Sequence, residues 1–365
     1  MNRSARVSGS PRSKPISLLD RPHAEARALL ATGAPVFLCV NPVEYHGPHL
    51  SLHNDAIVSK ALATAMHARL RIAHPEWPLL YGGDLEVGVE PASGPGSRHT
   101  SFAIARSLIR EACRALVELG VERVVVLTFH GSPLHNLAIE SGLRLLERSG
   151  VRAIAPMPLL LEQLVTLDPE RLRALDVEDA FATVVDEDER RAVRDGLALD
   201  FHAGFFETSV ALHCAPGSVS AAFRKLPPCP VFRADPRMLA VARVARAAGR
   251  TRLADELGFV AHGLGWYALR PFPGYTGRPH LASAEAGRVL VERIVERFVA
   301  ATDDVFAGRA ARPRPVLEWI AAASLGGRVG AVHVPTEAVV AEGDAYAWSA
   351  DGRESPSRSE ADALG

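Results

Sequence analysis

The chain lacks long apolar runs, closely spaced cysteines and an excess of charge of either sign, and each absence removes a class of function. No uninterrupted apolar stretch reaches the roughly 18 residues needed to cross a bilayer, so no membrane-spanning role is expected. The four cysteines, Cys39, Cys113, Cys214 and Cys229, have neither the spacing of a zinc knuckle nor the density of a disulfide scaffold, and read as mostly buried thiols in a reducing compartment. With 41 basic and 42 acidic side chains the formal charge is -1, too small to draw the protein onto nucleic acid or anionic lipid. A small or moderately sized substrate is the default partner. There is no G-x-S-x-G nucleophile elbow, and neither Gly94-Pro95-Gly96 nor Gly326-Gly327 has the strand-to-helix setting of a phosphate loop. Residues 1–16 are rich in Arg, Ser and Pro without an apolar targeting core, so a cytoplasmic protein is expected.

What is present suits a large enzyme core. Hydrophobic residues make up 48% of the 365, enough for one or two domains. Pro35 to Val40 and Arg123 to Phe129 are apolar runs that predict strands buried on both faces, and Val151 to Pro156 predicts a third strand. Helical spacing marks 55–70, 101–119, 136–148 and a segment from Pro279 or His280 to Phe298. This alternation predicts an α/β fold with a mostly parallel central sheet flanked by helices. The expected organisation is a flexible segment 1–19, a catalytic domain 20–305, an appended helix and hairpin over 306–349 packed on the core, and a flexible tail 350–365.

The chemistry lies in three separated segments: Glu44-Tyr45-His46-Gly47-Pro48-His49 with Asp55, then His130-Gly131, then His202 to Ser209. Residues just beyond the carboxyl ends of parallel strands face the binding crevice, which is where Glu44, His46 and His130 are expected to lie. Glu44 and His46, one residue apart, point the same way in an extended segment. Asp55 has two oxygens, enough to bridge two cations, and His130 and Glu207 complete opposite sides. These five offer oxygen and nitrogen ligands for two divalent metal ions, with positions left for water and substrate. Each residue also has a plainer reading: Glu44 as an ion-paired loop acid, Asp55 as a helix N-cap, His130 as a hydrogen-bonded core histidine. His49 reads as a residue that orients the loop by a hydrogen bond.

In order and spacing these motifs resemble the creatininase family of metal-dependent amide hydrolases. The likeness rests on Glu44 to Leu50 with Asp55, on Thr128-Phe129-His130-Gly131-Ser132-Pro133-Leu134-His135-Asn136, and on His202-Ala203-Gly204 leading to Glu207-Thr208-Ser209. A weaker echo is Gly277-Arg278-Pro279 with Ala282 to Gly287, and the whole spans roughly residues 30 to 300. The resemblance implies Glu44, His46, a bridging Asp55, His130 and Glu207 around two divalent ions, zinc or manganese with iron as a further option. It also implies His202 as the proton-transfer residue, an α/β sandwich and a homo-oligomer, in the family often a hexamer. Three departures bear on substrate choice. Thr128-Phe129 stand where the family has Asn-Gly, Gly94 to Thr100 replaces a Phe-Pro-Gly-Thr string, and Ser132 occupies a position that is acidic in creatinine amidohydrolase.

The expected activity is hydrolysis of an amide or other C–N bond in a small cyclic amide or formamide-like substrate. The alternatives are a peptidase acting on a small modified peptide and a non-catalytic, metal-stabilised assembly protein. Candidate substrate contacts are His53, Arg98, His99, Ser132, Trp266 and Tyr267, where Arg98 and His99 suit a carboxylate or phosphate and the aromatic pair suits either a heterocycle or a subunit contact.

Overall fold

The structure is a computed structural model that describes residues 15–165 and 176–329. Five strands form one sheet: β1 (Ile16–Ser17), β2 (Val36–Asn41), β3 (Leu80–Glu86), β4 (Arg123–Leu127) and β5 (Arg152–Ile154). Their spatial order is β1-β3-β2-β4-β5, and every pairing is parallel. The central strand β2 carries Phe37, Leu38 and Val40, all fully buried, and in β4 Val124 to Leu127 are buried in the same way. That continuous burial is why both read as apolar runs rather than as alternating patterns.

The crossovers are helical: α1 (His23–Leu30), α2 (Asn54–Ala73), α3 (Phe102–Leu119) and α4 (Pro133–Arg148); α5 (Met157–Val165) follows β5. Ser101 caps α3 and Ser132 caps α4, each accepting a bond from a backbone N–H of the first turn. Helices α3 and α4 pack together as one layer, while α2 packs with the later helices Phe205–Cys214 and Ala284–Phe306 as another. The expected α/β architecture is therefore the observed one.

Two expectations need correcting, and one strand lies outside them. Ile16–Ser17, placed in a flexible segment, is an edge strand on β3, held by the bond from Ile16 N to Leu79 O and by burial of Leu18. Strand β3 was not anticipated, because Gly82, Gly83 and Asp84 interrupt its apolar pattern. A Cβ on Gly82 would lie 2.7 Å from Val36 Cγ1, and Gly83 adopts φ +116° where the register with β2 shifts, so close strand approach and a bulge dictate that composition. The long C-terminal helix starts at Ala284, capped by Ser283 Oγ accepting from Ala286 N, and continues to Phe306; Pro279–Leu281 is a separate 3-10 turn.

Of the C-terminal appendage, Val316 and Leu317 are buried in the main core, and Trp319 Nε1 donates to Glu256 Oε2 at 2.9 Å. A short helix spans Ile320–Ala323, and the expected hairpin beyond residue 329 lies outside the described residues. All four cysteines are free thiols. Among the described residues no helix is long and apolar enough to cross a membrane.

Candidate metal centre

Strands β2 and β4 lie side by side in parallel register, so the segments that leave their carboxyl ends enter the same space. Asn41, the last residue of β2, ties those segments together: its Oδ1 accepts from Phe129 N at 3.0 Å and from Ser59 Oγ on α2 at 2.9 Å. Glu44 and His46 follow β2, Asp55 sits in the first turn of α2, and His130 follows β4. Glu207 occupies the first turn of the helix Phe205–Cys214, and His202 lies just before it. All six side chains are buried and converge.

Their donor atoms face one another. His46 Nε2 lies 3.1 Å from Asp55 Oδ1 and 3.8 Å from both Glu44 Oε2 and Glu207 Oε2. His130 Nδ1 lies 2.8 Å from Glu44 Oε2 and 3.7 Å from Asp55 Oδ2. Three groupings, Glu44–His46–His202, Glu44–Asp55–His130 and His46–Asp55–Glu207, each bring their ligand atoms within 4.8 Å of one another.

Hydrogen bonds from the outer nitrogens of the imidazoles fix which nitrogen of each ring faces the acids. Backbone carbonyls only accept, so His46 Nδ1–H donates to Glu44 O at 3.0 Å, His130 Nε2–H to Val89 O at 3.0 Å and His202 Nε2–H to Tyr45 O at 2.9 Å. In the neutral imidazole the nitrogens left to accept are His46 Nε2, His130 Nδ1 and His202 Nδ1, all turned towards the acids. Both Asp55 oxygens and Glu44 Oε2 are buried without a hydrogen bond, although imidazole nitrogens lie within ion-pair distance. Buried carboxylate oxygens facing imidazole nitrogens are costly unless a proton or a metal cation lies between them, and the donor set fits one or two divalent metal ions.

The charge balance leads to the same requirement. Burial opposes ionisation of Glu44, yet the facing His130, His46 and His202 outweigh it and hold its carboxyl well below the usual range. Burial raises Asp55, and it lifts Glu207 to about 8. Burial alone would depress the imidazoles, but Asp55, Glu44 and Glu207 push His46 up to about 10, and Glu44 and Asp55 push His130 up to about 9. Three buried carboxylates cannot all ionise without compensating positive charge; protons on two imidazoles supply part of it, and divalent cations supply it fully. His202 behaves differently: burial and the neighbouring His46 bring it down to about 4, leaving a neutral imidazole stacked on His46 with ring centroids 4.5 Å apart.

The family model for creatininase, described as creatinine amidohydrolase, matches residues 20–302. The chain belongs to the creatininase family. That membership and the clustered donors together support a metal-dependent amidohydrolase activity. A crystal structure of a creatinine amidohydrolase (creatininase) superposes with a TM-score of 0.51 at 20% identity, over 80% of this chain and 99% of that one. A manganese creatininase gives 0.50 at 19% identity over the same shares. At such identities the likeness is one of fold. The mycofactocin precursor peptide peptidase of Mycobacterium ulcerans (strain Agy99) is 33% identical over 137 residues, 33% of this chain and 49% of that protein. The match thus spans about half the length of that curated relative.

The candidate substrate contacts divide into two groups. His53 and Arg98 meet on an exposed acid at the end of β3: His53 Nε2 lies 3.2 Å from Glu86 Oε2, and Arg98 pairs with Glu86 Oε1. His99 beside them is exposed. This rim group does not join the buried cluster. Trp266, Tyr267 and Ser132 lie closer in. The Trp266 ring is 5.3 Å from that of His202, its Nε1 donating to Tyr275 O, and Tyr267 stacks on Phe272 at 5.5 Å. Ser132 Oγ donates to Glu90 Oε2 at 2.9 Å. His49 orients its loop as expected, with Nε2 bonded to Thr208 Oγ1 at 2.8 Å.

Sequence reasoning passed over two residues that hold the His202 segment. Thr276 Oγ1 accepts from His202 N at 3.1 Å, and Thr276 N donates to His202 O at 2.8 Å. Asp200 Oδ2 accepts from Phe206 N at 3.2 Å at the start of the Glu207 helix. The turn between is tight: Ala203 has φ +48°, and a Cβ on Gly204 would lie 1.6 Å from Asp200 Oδ1. The D-x-H-x-G spacing was the one local signal for Asp200, and Thr276 had none.

Proposed function

We propose that the chain hydrolyses an amide C–N bond of a small substrate by means of two divalent ions, zinc or manganese, held by Glu44, His46, Asp55, His130 and Glu207. The observation that carries this reading is Asp55: both its oxygens are buried without a hydrogen bond, with His46 Nε2 beside one and His130 Nδ1 beside the other. A carboxylate so placed is suited to bridge two cations. Bound ions supply an activated water and a polarised substrate carbonyl. His202 supplies the proton transfer, because Tyr45 O fixes the proton on its Nε2 and leaves Nδ1 free to take a proton and return it to the departing nitrogen. Trp266, itself packed on Phe272, lies against the buried His202 and limits its access to bulk water.

The substrate class placed first is a cyclic amide or formamide-like compound, in keeping with the creatinine amidohydrolases that share the fold. A second reading is cleavage of an amide in a short modified peptide, favoured by the relative named as a peptidase at 33% identity. Assembly into a homo-oligomer and a cytoplasmic location belong to the same proposal. The test is elemental mass spectrometry on protein purified without added metal, followed by turnover of cyclic amides, formamides and short peptides. About two metal equivalents with hydrolysis of one class supports the proposal. A folded protein that cannot be loaded would refute it.

A further inference from the structure

The loop after β3 carries an acid that the metal centre does not absorb. Val89 O orients His130, and Ala92 N donates to Glu44 Oε1 at 2.6 Å, so the residues on either side of Glu90-Pro91 both touch the cluster. Glu90 itself has φ +56°, in the left-handed region, directly before a proline. A non-glycine residue there is strained, and such strain persists where the surroundings hold the residue in place for use. Its Oε2 accepts from Ser132 Oγ, two residues beyond His130, which aims the carboxylate across the gap between the β3 and β4 loops. Glu90 lies close enough to Tyr267 that, after burial, it joins Glu44 in raising the phenol. Among the described residues it makes no ion pair. An aimed, half-buried carboxylate without a cationic partner, at the edge of a centre already rich in acids, calls for positive charge from outside the chain.

We infer that Glu90 is a specificity-determining residue that binds a cationic nitrogen of the substrate, an ammonium or guanidinium near the scissile amide. The inference rests on the hydrolase reading for the word substrate, but its test does not depend on turnover. A peptide amine and a small guanidine present the same chemistry, so the probes are L-alanyl-L-tyrosine, its uncharged N-acetyl derivative and 1-methylguanidine. Each is titrated by calorimetry into the metal-loaded full chain and into Glu90→Gln. The wild type is expected to prefer alanyl-tyrosine over the N-acetyl compound by about 10- to 100-fold, as for a charge-assisted hydrogen bond, and Glu90→Gln to erase the preference with metal content unchanged. Ser132→Ala, which leaves the acid in place but removes its guide, should reduce the preference by a few-fold.

Binding of methylguanidine with the same Glu90 dependence would identify a small guanidinium as the source; preference confined to the dipeptide would identify a peptide amine. No preference in the wild type, or an equal preference in Glu90→Gln, overturns the inference, as does loss of a metal equivalent in that variant, which would make Glu90 a ligand. Preference without hydrolysis of any probe or amide panel keeps the inference and counts against the hydrolase reading. Hydrolysis without preference does the reverse.

Discussion

Two histidine–carboxylate contacts in this molecule have nearly the same length. His46 Nε2 lies 3.1 Å from Asp55 Oδ1, and His53 Nε2 lies 3.2 Å from Glu86 Oε2. The first pair is 1% and 1% exposed in its side chains, the second 55% and 47%. At the rim, water solvates both partners and screens the pair, so the contact contributes little. Inside, the acids have no water to solvate them, and the imbalance of charge among Glu44, Asp55 and Glu207 becomes a demand for cations. Contact distance alone does not distinguish a site from a surface pair; burial does.

The largest test of that contrast is Asp55→Ala. Removing the acid proposed to bridge the ions should release metal and lower kcat/KM by about 10^3-fold or more, equivalent to the several kcal/mol a metal centre contributes, as read by elemental analysis with kinetics. Full metal content and rate in the variant would end the distinction. His202→Asn should come next: kcat falls by about 10^2- to 10^4-fold with metal retained, because a proton carrier is lost rather than a ligand. Metal loss in that variant would move His202 among the ligands, where its place beside Glu44 and His46 permits it.

A buried acid off the metal set sharpens the comparison through pH. Burial pushes Asp200 up to about 7, whereas its unfolded carboxyl keeps a value near 3.8. Between those limits the native state holds more protons than the unfolded chain, so this group's contribution is fully present below the lower value and lost as pH rises through the upper one. Against Asp200→Asn, the wild type should therefore lose stability from about pH 4 to pH 7 in denaturant titrations. A constant difference across that range would contradict the assignment. The smallest effect belongs to the rim. His53→Gln or Arg98→Gln should change unfolding free energy by no more than about 0.5 kcal/mol and leave metal content alone. A rise in KM without a fall in kcat would show that the rim touches substrate.

Much of the fold was legible because its strongest elements obey local rules. Strands β2 and β4 are apolar apart from Asn41 at the end of one and Arg123 at the start of the other, and α3 and α4 begin at serine caps. Strand β3 was hidden by glycines that only neighbouring strands explain, and β1 is too short to leave a pattern. The candidate ligands were legible because acids and histidines directly after apolar strand runs have few structural reasons to be there. Arg98 was read by type alone: its backbone N donates to Val43 O beside Glu44, while its side chain turns away to Glu86.

Residue type and order thus determined the α/β class, the three motif segments and the family resemblance, because periodicity and chemical type are properties of the chain itself. Tertiary structure decided which of 14 histidines share a buried space, which nitrogen of each faces inward and which acid is left without a cation. Those features depend on solvent exclusion and on backbone carbonyls contributed from distant segments, and neither is encoded at any one position.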